Sequence, residues 1–552
     1  MITVKKSSII SIQILLFLLS LILLPAPARA DYNPLIRPDP RYDIFVQRIN
    51  ARYGLLPDGF YRQPMGSGDF LTYLDSVSTL PLTGQELYML EGLRKHLSLD
   101  GGIYGFSGDD RGGYGVIVNL DLTADAWART GGKIGTRMGS TAVISPHLRG
   151  YIGKLSFYST LDIWTEYVYD SLFYPSDFQP YRGIPYTIHG ERDTWGDGGN
   201  MRASNLPRAG ISYDVGRLTL EAAIDYLRLG PAVHYPVTLS GTAPPVTYAR
   251  AILDLTHMEY WHVAGVLRSQ RDKAKYIYAN GLRGSFWDKR LQWGVSEVMI
   301  AGSTTNQQDN DPENIMRPEY AGQEPGWEWA FLVPFVPMVF VEFYTGDMAN
   351  AALAFDFSLN WPRDFRFYGE FYIDDLLSPF KMFSDDWGNK WAVTLGMQYF
   401  TNLYNRGVSA GLEWSRVEPW VYTHFYGGSH RYDHFDKCLG SPMGPNSMAI
   451  AANADMSVTD RGTIGLKLTS LSNNPTARGG HINHIFRDPG RVENPDSETK
   501  KFLGPGTVHY LRPGIYGRYD PLGMFRVNAS IEFDVAQDKG SVHFMLDGGF
   551  RF

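Results

Sequence analysis

Apolar and polar positions along this chain follow two different periods. Residues 42–53 and 69–78 carry apolar side chains at helical spacing. A third helix marks its own start. Thr83-Gly84-Gln85-Glu86 is a capping box, in which the Thr hydroxyl and the Glu carboxylate each accept a backbone N–H left unpaired at the helix start. Leu87, Leu90, Leu93 and Leu97 then share one stripe. This unit, with Pro34, Pro38 and Pro40 leading in, is small for an independent domain and is predicted to pack against, or plug, the rest of the chain. From about Gly113 the period becomes two. Phe525, Val527, Ala529, Ile531, Phe533 and Val535 alternate with Arg526, Asn528, Ser530, Glu532 and Asp534. Leu155, Phe157, Leu161 and Ile163 oppose Lys154, Thr160, Asp162 and Glu166. Leu218, Leu220, Ala222 and Ile224 oppose Thr219, Glu221 and Asp225. Met448 to Val458 and Val542 to Phe552 repeat the pattern, the latter reaching a terminal aromatic. Apolar residues on one face and ionised ones on the other suit a strand with lipid outside and water inside. There are about 17 candidate segments, and single-chain bacterial barrels use even numbers. The predicted fold is an all-β transmembrane barrel of 16–18 antiparallel strands, 18 favoured, with a small N-terminal α-helical unit.

The first 30 residues read as a signal peptide: Lys5 and Lys6, an apolar run from Ile9 to Leu24, then Ala28-Arg29-Ala30 as the cleavage site. The rival is an uncleaved anchor. Removing Lys5, Lys6 and Arg29 takes the formal charge from −7 to −10, which argues against a nucleic-acid partner. Residues 31–110 are assigned to the helical unit, periplasmic or plugging, and 111–552 to the barrel. Composition agrees: 34 Tyr, 30 Phe, 13 Trp and 58 Gly suit aromatic interface belts and tight turns. The lone Cys438 excludes an internal disulfide. Long connections at 169–207, 303–327, 425–446 and 471–506 are predicted to face the exterior, the short ones the periplasm.

The strand over residues 365–375 is the first candidate for chemistry. Phe365, Phe367, Gly369, Phe371 and Ile373 would face lipid; Arg366, Tyr368, Glu370, Tyr372 and Asp374 would face the lumen. Aromatic rings beside carboxylates suit sugars, since a ring packs on a pyranose face while carboxylates accept from hydroxyls. The bland alternative is a wet lumen wall with Arg366 balancing Glu370. In the loops, Trp195, Tyr426, His430 and Tyr432 are the polysaccharide-binding candidates. His424, His430 and His434 lie near Asp433 and Asp436, and His481 near His484, but on no metal-binding spacing; no metal or other cofactor is predicted. The acidic segment 306–324 reads as a solvated loop rather than a calcium site. The chain has no G-x-S-x-G, H-E-x-x-H or P-loop, and Glu370 and Asp374 would stand roughly 13 Å apart along one strand. An enzyme is not predicted.

Several of these stretches resemble the Wzi family of capsule-assembly proteins. Phe367-Tyr368-Gly369-Glu370-Phe371-Tyr372-Ile373-Asp374-Asp375 is similar to that family's YGxxxIDD strand. Leu291-Gln292-Trp293-Gly294-Val295-Ser296-Glu297 resembles its lxxGxSE strand, and Leu439 to Ser447 its LGxxxGPxS loop. Phe331-Leu332-Val333-Pro334 stands where members often have YLNP, with Val333 replacing Asn. The resemblance implies an outer-membrane barrel whose helical bundle closes the periplasmic side, acting as a lectin that holds capsular polysaccharide at the cell surface. The implied partners are polysaccharide, outer-membrane lipid and lipopolysaccharide, and the barrel-insertion machinery. A porin or solute channel is the main alternative, and a structural assembly barrel the third.

Overall fold

The computed structural model describes residues 33–36, 40–98, 103–108, 113–132, 135–168, 201–268, 274–302, 327–345, 349–376, 378–424, 427–486, 495–520, 525–536 and 539–551. The predicted signal peptide lies outside them, as do Trp195 and Tyr426 and the acidic segment 306–324.

Eighteen antiparallel strands close on themselves. In chain order they are β1 (Tyr114–Thr130), β2 (Arg137–Ile152), β3 (Leu155–Val168), β4 (Met201–Val215), β5 (Leu218–Asp225) and β6 (Val246–Asp254). Next come β7 (Met258–Arg268), β8 (Ala274–Phe286), β9 (Leu291–Gly302), β10 (Ala349–Leu359), β11 (Phe365–Asp375) and β12 (Lys390–Leu403). The last six are β13 (Arg406–Val417), β14 (Ser447–Thr459), β15 (Gly462–Asn473), β16 (Val508–Tyr519), β17 (Phe525–Asp534) and β18 (Ser541–Arg551). The seam is β18 against β1, from Val542 opposite Thr130 to Arg551 opposite Asp121, which closes the barrel. The short strand Tyr104–Gly108 also pairs with β1, so the barrel sheet begins before β1 itself.

Alternation places the side chains as the two-residue period requires. Leu161, Ile163, Leu220, Phe355, Leu395, Leu412, Ile450, Phe533 and Leu546 are exposed on the outer wall, while their neighbours point into the lumen. One end of the barrel carries tight turns, such as Tyr404-Asn405 with φ of 49° and 61°, the left-handed pair of a two-residue hairpin. The other end carries the long connections.

Three helices, α1 (Pro40–Tyr53), α2 (Ser67–Val77) and α3 (Gly84–Leu97), pack around Phe45, Ile49, Phe70, Leu74, Leu90 and Leu93. The capping box at Thr83 and Glu86 is formed. The α3 stripe differs from expectation at one position: Leu87 is 45% exposed, whereas Glu86 is buried. Glu86 goes inward because its carboxylate both completes the cap and pairs with Arg52 at 2.8 Å. The unit seats on the short-turn end. Asn360 Nδ2 donates to Asn50 Oδ1 (2.8 Å), the Asp364 N–H to Ala51 O (3.2 Å), and Tyr88 Oη to Asp520 O (2.8 Å).

Candidate functional site: a filled lumen and an aromatic rim

The connection between β5 and β6, residues 226–245, does not project outward. It folds into the lumen, where Leu227, Leu229, Ala232, Val237 and Leu239 are buried. A three-stranded ladder holds it: Leu239–Ser240 pairs with Arg228–Leu229, which pairs with Arg62–Gln63 of the helical unit. From the long-loop end, Leu439 O accepts from both the Ser240 N–H (2.8 Å) and its hydroxyl (3.1 Å).

The predicted sugar-binding side chains of β11 point into the lumen, but this segment covers them. Glu370, 2% exposed, accepts from the Ala232 and Val237 N–H groups, both at 2.8 Å. Tyr368 donates to Glu413 (2.7 Å), whose carboxylate also takes the N–H groups of Val233, His234 and Tyr235 at 2.8, 3.0 and 2.7 Å. Asp374 accepts the Tyr422 N–H at 2.7 Å. Tyr372, Tyr422 and Tyr432 cluster with ring centroids 5.1–5.5 Å apart. The hydroxyls of Tyr422 and Tyr432 donate to Val237 O and Thr238 O. Burial raises the Tyr422 and Tyr432 phenols well above their ordinary range, so both remain donors. His430 is fully buried, its Nδ1 2.9 Å from Ser429 Oγ, while Asn350 Nδ2 reaches its carbonyl.

The expectation that Tyr368, Glu370, Tyr372, Asp374, His430 and Tyr432 contact polysaccharide is therefore revised. Each is buried: Glu370 and Tyr432 bond the in-folded backbone, Tyr368 bonds Glu413, Asp374 takes the Tyr422 N–H, and Tyr372 packs between Tyr422 and Tyr432. Nor does Arg366 balance Glu370. It bonds Gln398, Ser358 and Pro231 O and stacks 4.2 Å over Tyr368. Closeness along one strand suggests the Arg366–Glu370 pair; the partners of Glu370, and Pro231 for Arg366, come instead from a segment over a hundred residues away.

Among the described residues, two accessible surfaces stand out. One is a chamber of about 740 Å³ inside the wall formed by β12–β18 and β1, bordered by Ile44 of α1 and by Val233, His234 and Tyr235. Lys467, Glu532, Arg526, Asp547, Asn453 and Tyr516 give it mixed charge. The other is the long-loop rim. Trp387 and Phe486 stack face to face at 3.6 Å, with buried Trp420 edge-on beneath Phe486 at 5.4 Å. Arg478 lies over Trp420 and pairs with Asp496 at 2.6 Å. Phe380 and Phe383 stand almost free at 99% and 76% exposure. The loops are tied together: the Trp387 N–H donates to Glu498 O and the Lys500 N–H to Asp385 O. Lys500 Nζ meets Glu418 at 2.9 Å; burial lowers its pKa against the raising effect of that carboxylate. Sequence reading missed this platform because Trp387 and Phe486 lie about a hundred residues apart in irregular loops. The clustered Trp and Phe of residues 380–391 were the available signal.

These features define a class: a closed β-barrel of the outer-membrane kind with its lumen partly occupied by its own chain. No protein-family model and no curated protein matches it. Among solved structures, the chain is similar across nearly its whole length to Wzi of Escherichia coli, described as an outer-membrane, carbohydrate-binding β-barrel involved in group 1 capsule assembly. Identity is 14%, coverage 94% of this chain and 99% of Wzi, and TM-score 0.58. A BenF-like porin from Pseudomonas fluorescens (10% identity, 79% and 98% coverage, TM-score 0.42) and Pseudomonas aeruginosa OprD (10%, 79% and 94%, 0.39) are more distant. The fold is that of the Wzi barrel.

Proposed function

We propose that this protein binds capsular or extracellular polysaccharide and anchors it at the cell surface. The observation that carries the reading is the aromatic rim, half-buried Trp387 and Phe486 together with exposed Phe380 and Phe383, on a barrel whose lumen its own chain partly fills. Phe380 and Phe383 offer exposed ring faces to pyranoses, the Trp387–Phe486 stack offers half-buried ring edges on the same rim, and Arg478, Asp496 and His481 offer hydrogen bonds to hydroxyls. Wzi, of the same fold, is described as carbohydrate-binding. Binding is non-covalent and weak per chain, with polymer multivalency supplying the hold. Outer-membrane lipid, lipopolysaccharide and the barrel-insertion machinery belong to the same reading as partners.

The test is deletion of the gene, with polysaccharide quantified separately on cells and in the medium. Complementation uses the wild type and Trp387→Ala/Phe486→Ala. The expected result is polymer moving from cells to medium at constant total, restored by wild type and not by the double variant. Unchanged cell-bound polymer on deletion would refute anchoring. Full rescue by the double variant would refute the platform.

A further inference from the structure

Residues 327–345 follow β9 but do not stand above the barrel. They contain the short helix α4 (Met338–Thr345) and lie against the outside of the wall. On β7, Glu259 points into the lumen to Arg62, so Tyr260, His262 and Ala264 point outward. On β8, Lys275 and Arg283 bond inward to Asp433 and Asp356, so Tyr278 and Asn280 point outward. On β9, Gly294 faces Asp356 inside, so Glu297 faces outward. His262, Asn280 and Glu297 are direct neighbours in register and form a polar row across three strands.

Glu297 lies six residues beyond Leu291, where β9 begins at the short-turn end. At about 3.3 Å per residue and about 40° of tilt, that is roughly 15 Å up a lipid-facing band about 25 Å tall. A bare carboxylate there is costly. The segment covers it: the Met338 N–H donates to Glu297 Oε2 at 2.7 Å, the Phe335 N–H to Tyr260 Oη at 3.1 Å, and the Glu328 N–H to Tyr278 Oη at 2.8 Å. Phe335 stacks on Tyr260 at 4.2 Å, while Phe331 and Met338 pack on Tyr278, Met299 and Ala301. Its exposed large side chains are all apolar or aromatic: Trp329, Val333, Phe335, Val336, Phe340, Phe343 and Tyr344. Glu342, in contrast, is buried.

We infer that residues 327–345 form a re-entrant hairpin embedded in the bilayer, seated over the polar row of the barrel wall and facing lipid acyl chains with its aromatic side. The depth of Glu297 and the all-apolar exposed face both require hydrocarbon as the occupant. Water would leave seven large apolar side chains bare, and the outer wall on either side of the segment is the same apolar belt.

The test uses single-cysteine spin labels in Cys438→Ser protein, in phosphatidylcholine–phosphatidylglycerol nanodiscs. Phe340→Cys reports the hairpin. Leu412→Cys, six residues into β13 on the outer wall, reports lipid at the depth of Glu297, and Phe380→Cys reports water at the rim. Each is scored by collision with oxygen against a water-soluble nickel chelate. The oxygen-to-nickel ratio at position 340 is expected to match position 412 within twofold and to exceed position 380 about tenfold. A ratio at 340 equal to that at 380, with 412 still lipid-like, overturns the inference.

Discussion

Glu413→Ala tests whether carboxylates hold the in-folded segment in place. The substitution removes the acceptor for three consecutive N–H groups, Val233 to Tyr235, and for Tyr368 Oη. A hydrogen bond to a charged group contributes about 1.5–3 kcal/mol, so the three backbone bonds sum to roughly 4–9 kcal/mol if independent. They are not, because they share one acceptor. Residues 233–235 also border the 740 Å³ chamber, from which water reaches the freed amides. A loss of about 2–3 kcal/mol remains, which is about a 50-fold shift toward the displaced segment. The segment would still be held by Glu370, Thr394 and the ladder to Arg62–Gln63, so opening is transient. Conductance of single molecules in planar bilayers reads this directly. Glu413→Ala should raise the open fraction about 50-fold, and Glu370→Ala/Glu413→Ala further. If both variants keep the barrel's heat-modifiable migration yet conduct as wild type, the carboxylates are not what closes the lumen.

A chain lacking residues 31–99 should insert as a heat-modifiable barrel and conduct well above wild type, because it loses both the cap on the short turns and the Arg62–Gln63 strand; unchanged conductance would assign closure to residues 226–245 and the 418–446 loop alone. Gly230→Ala should lower the heat-modification midpoint through a loss of about 2 kcal/mol, since φ is +104° and a Cβ would overlap the Glu370 carboxylate; an unshifted midpoint would count against tight packing there. His434 Nδ1 accepts the Arg268 N–H and its Nε2 faces Pro245 O, and burial lowers its pKa to about 4, against opposing contributions from Pro245 and Asp433 and with Lys275 and Arg268 lowering it further. The undocked loop therefore binds a proton that the docked one refuses. Docking of Asp433–His434 is at full strength above about pH 6.5 and loses up to about 3 kcal/mol as pH falls to 4. Limited proteolysis at pH 7 and pH 5 should show the loss in wild type and a flat profile in His434→Gln.

Wall and helices were legible in the sequence because each follows from a local period. Phe365 to Asp375 alternate as read, β11 ends at Asp375, and the α3 cap forms at Thr83. The lumen's contents were not legible. Tyr368 and Glu370 look alike whether they face water or backbone, and the choice is made by residues 226–245. That segment betrayed itself only weakly, as a connection with buried-type Leu and Val yet broken by Pro231, Pro236, Pro244 and Pro245. The rim platform and the outer hairpin depend on contacts between distant, aperiodic segments, and no period points to them.

The ladder inside the lumen also has a mechanical meaning. Leu439 in the long-loop region bonds Ser240, Leu239–Ser240 bonds Arg228–Leu229, and that strand bonds Arg62–Gln63 beside α2. Backbone hydrogen bonds thus run from the surface loops to the helical unit at the other mouth without passing through the wall. A tug on a polymer held at the rim has a stiff internal path along which to travel, and the unit beneath the barrel is positioned to feel the load.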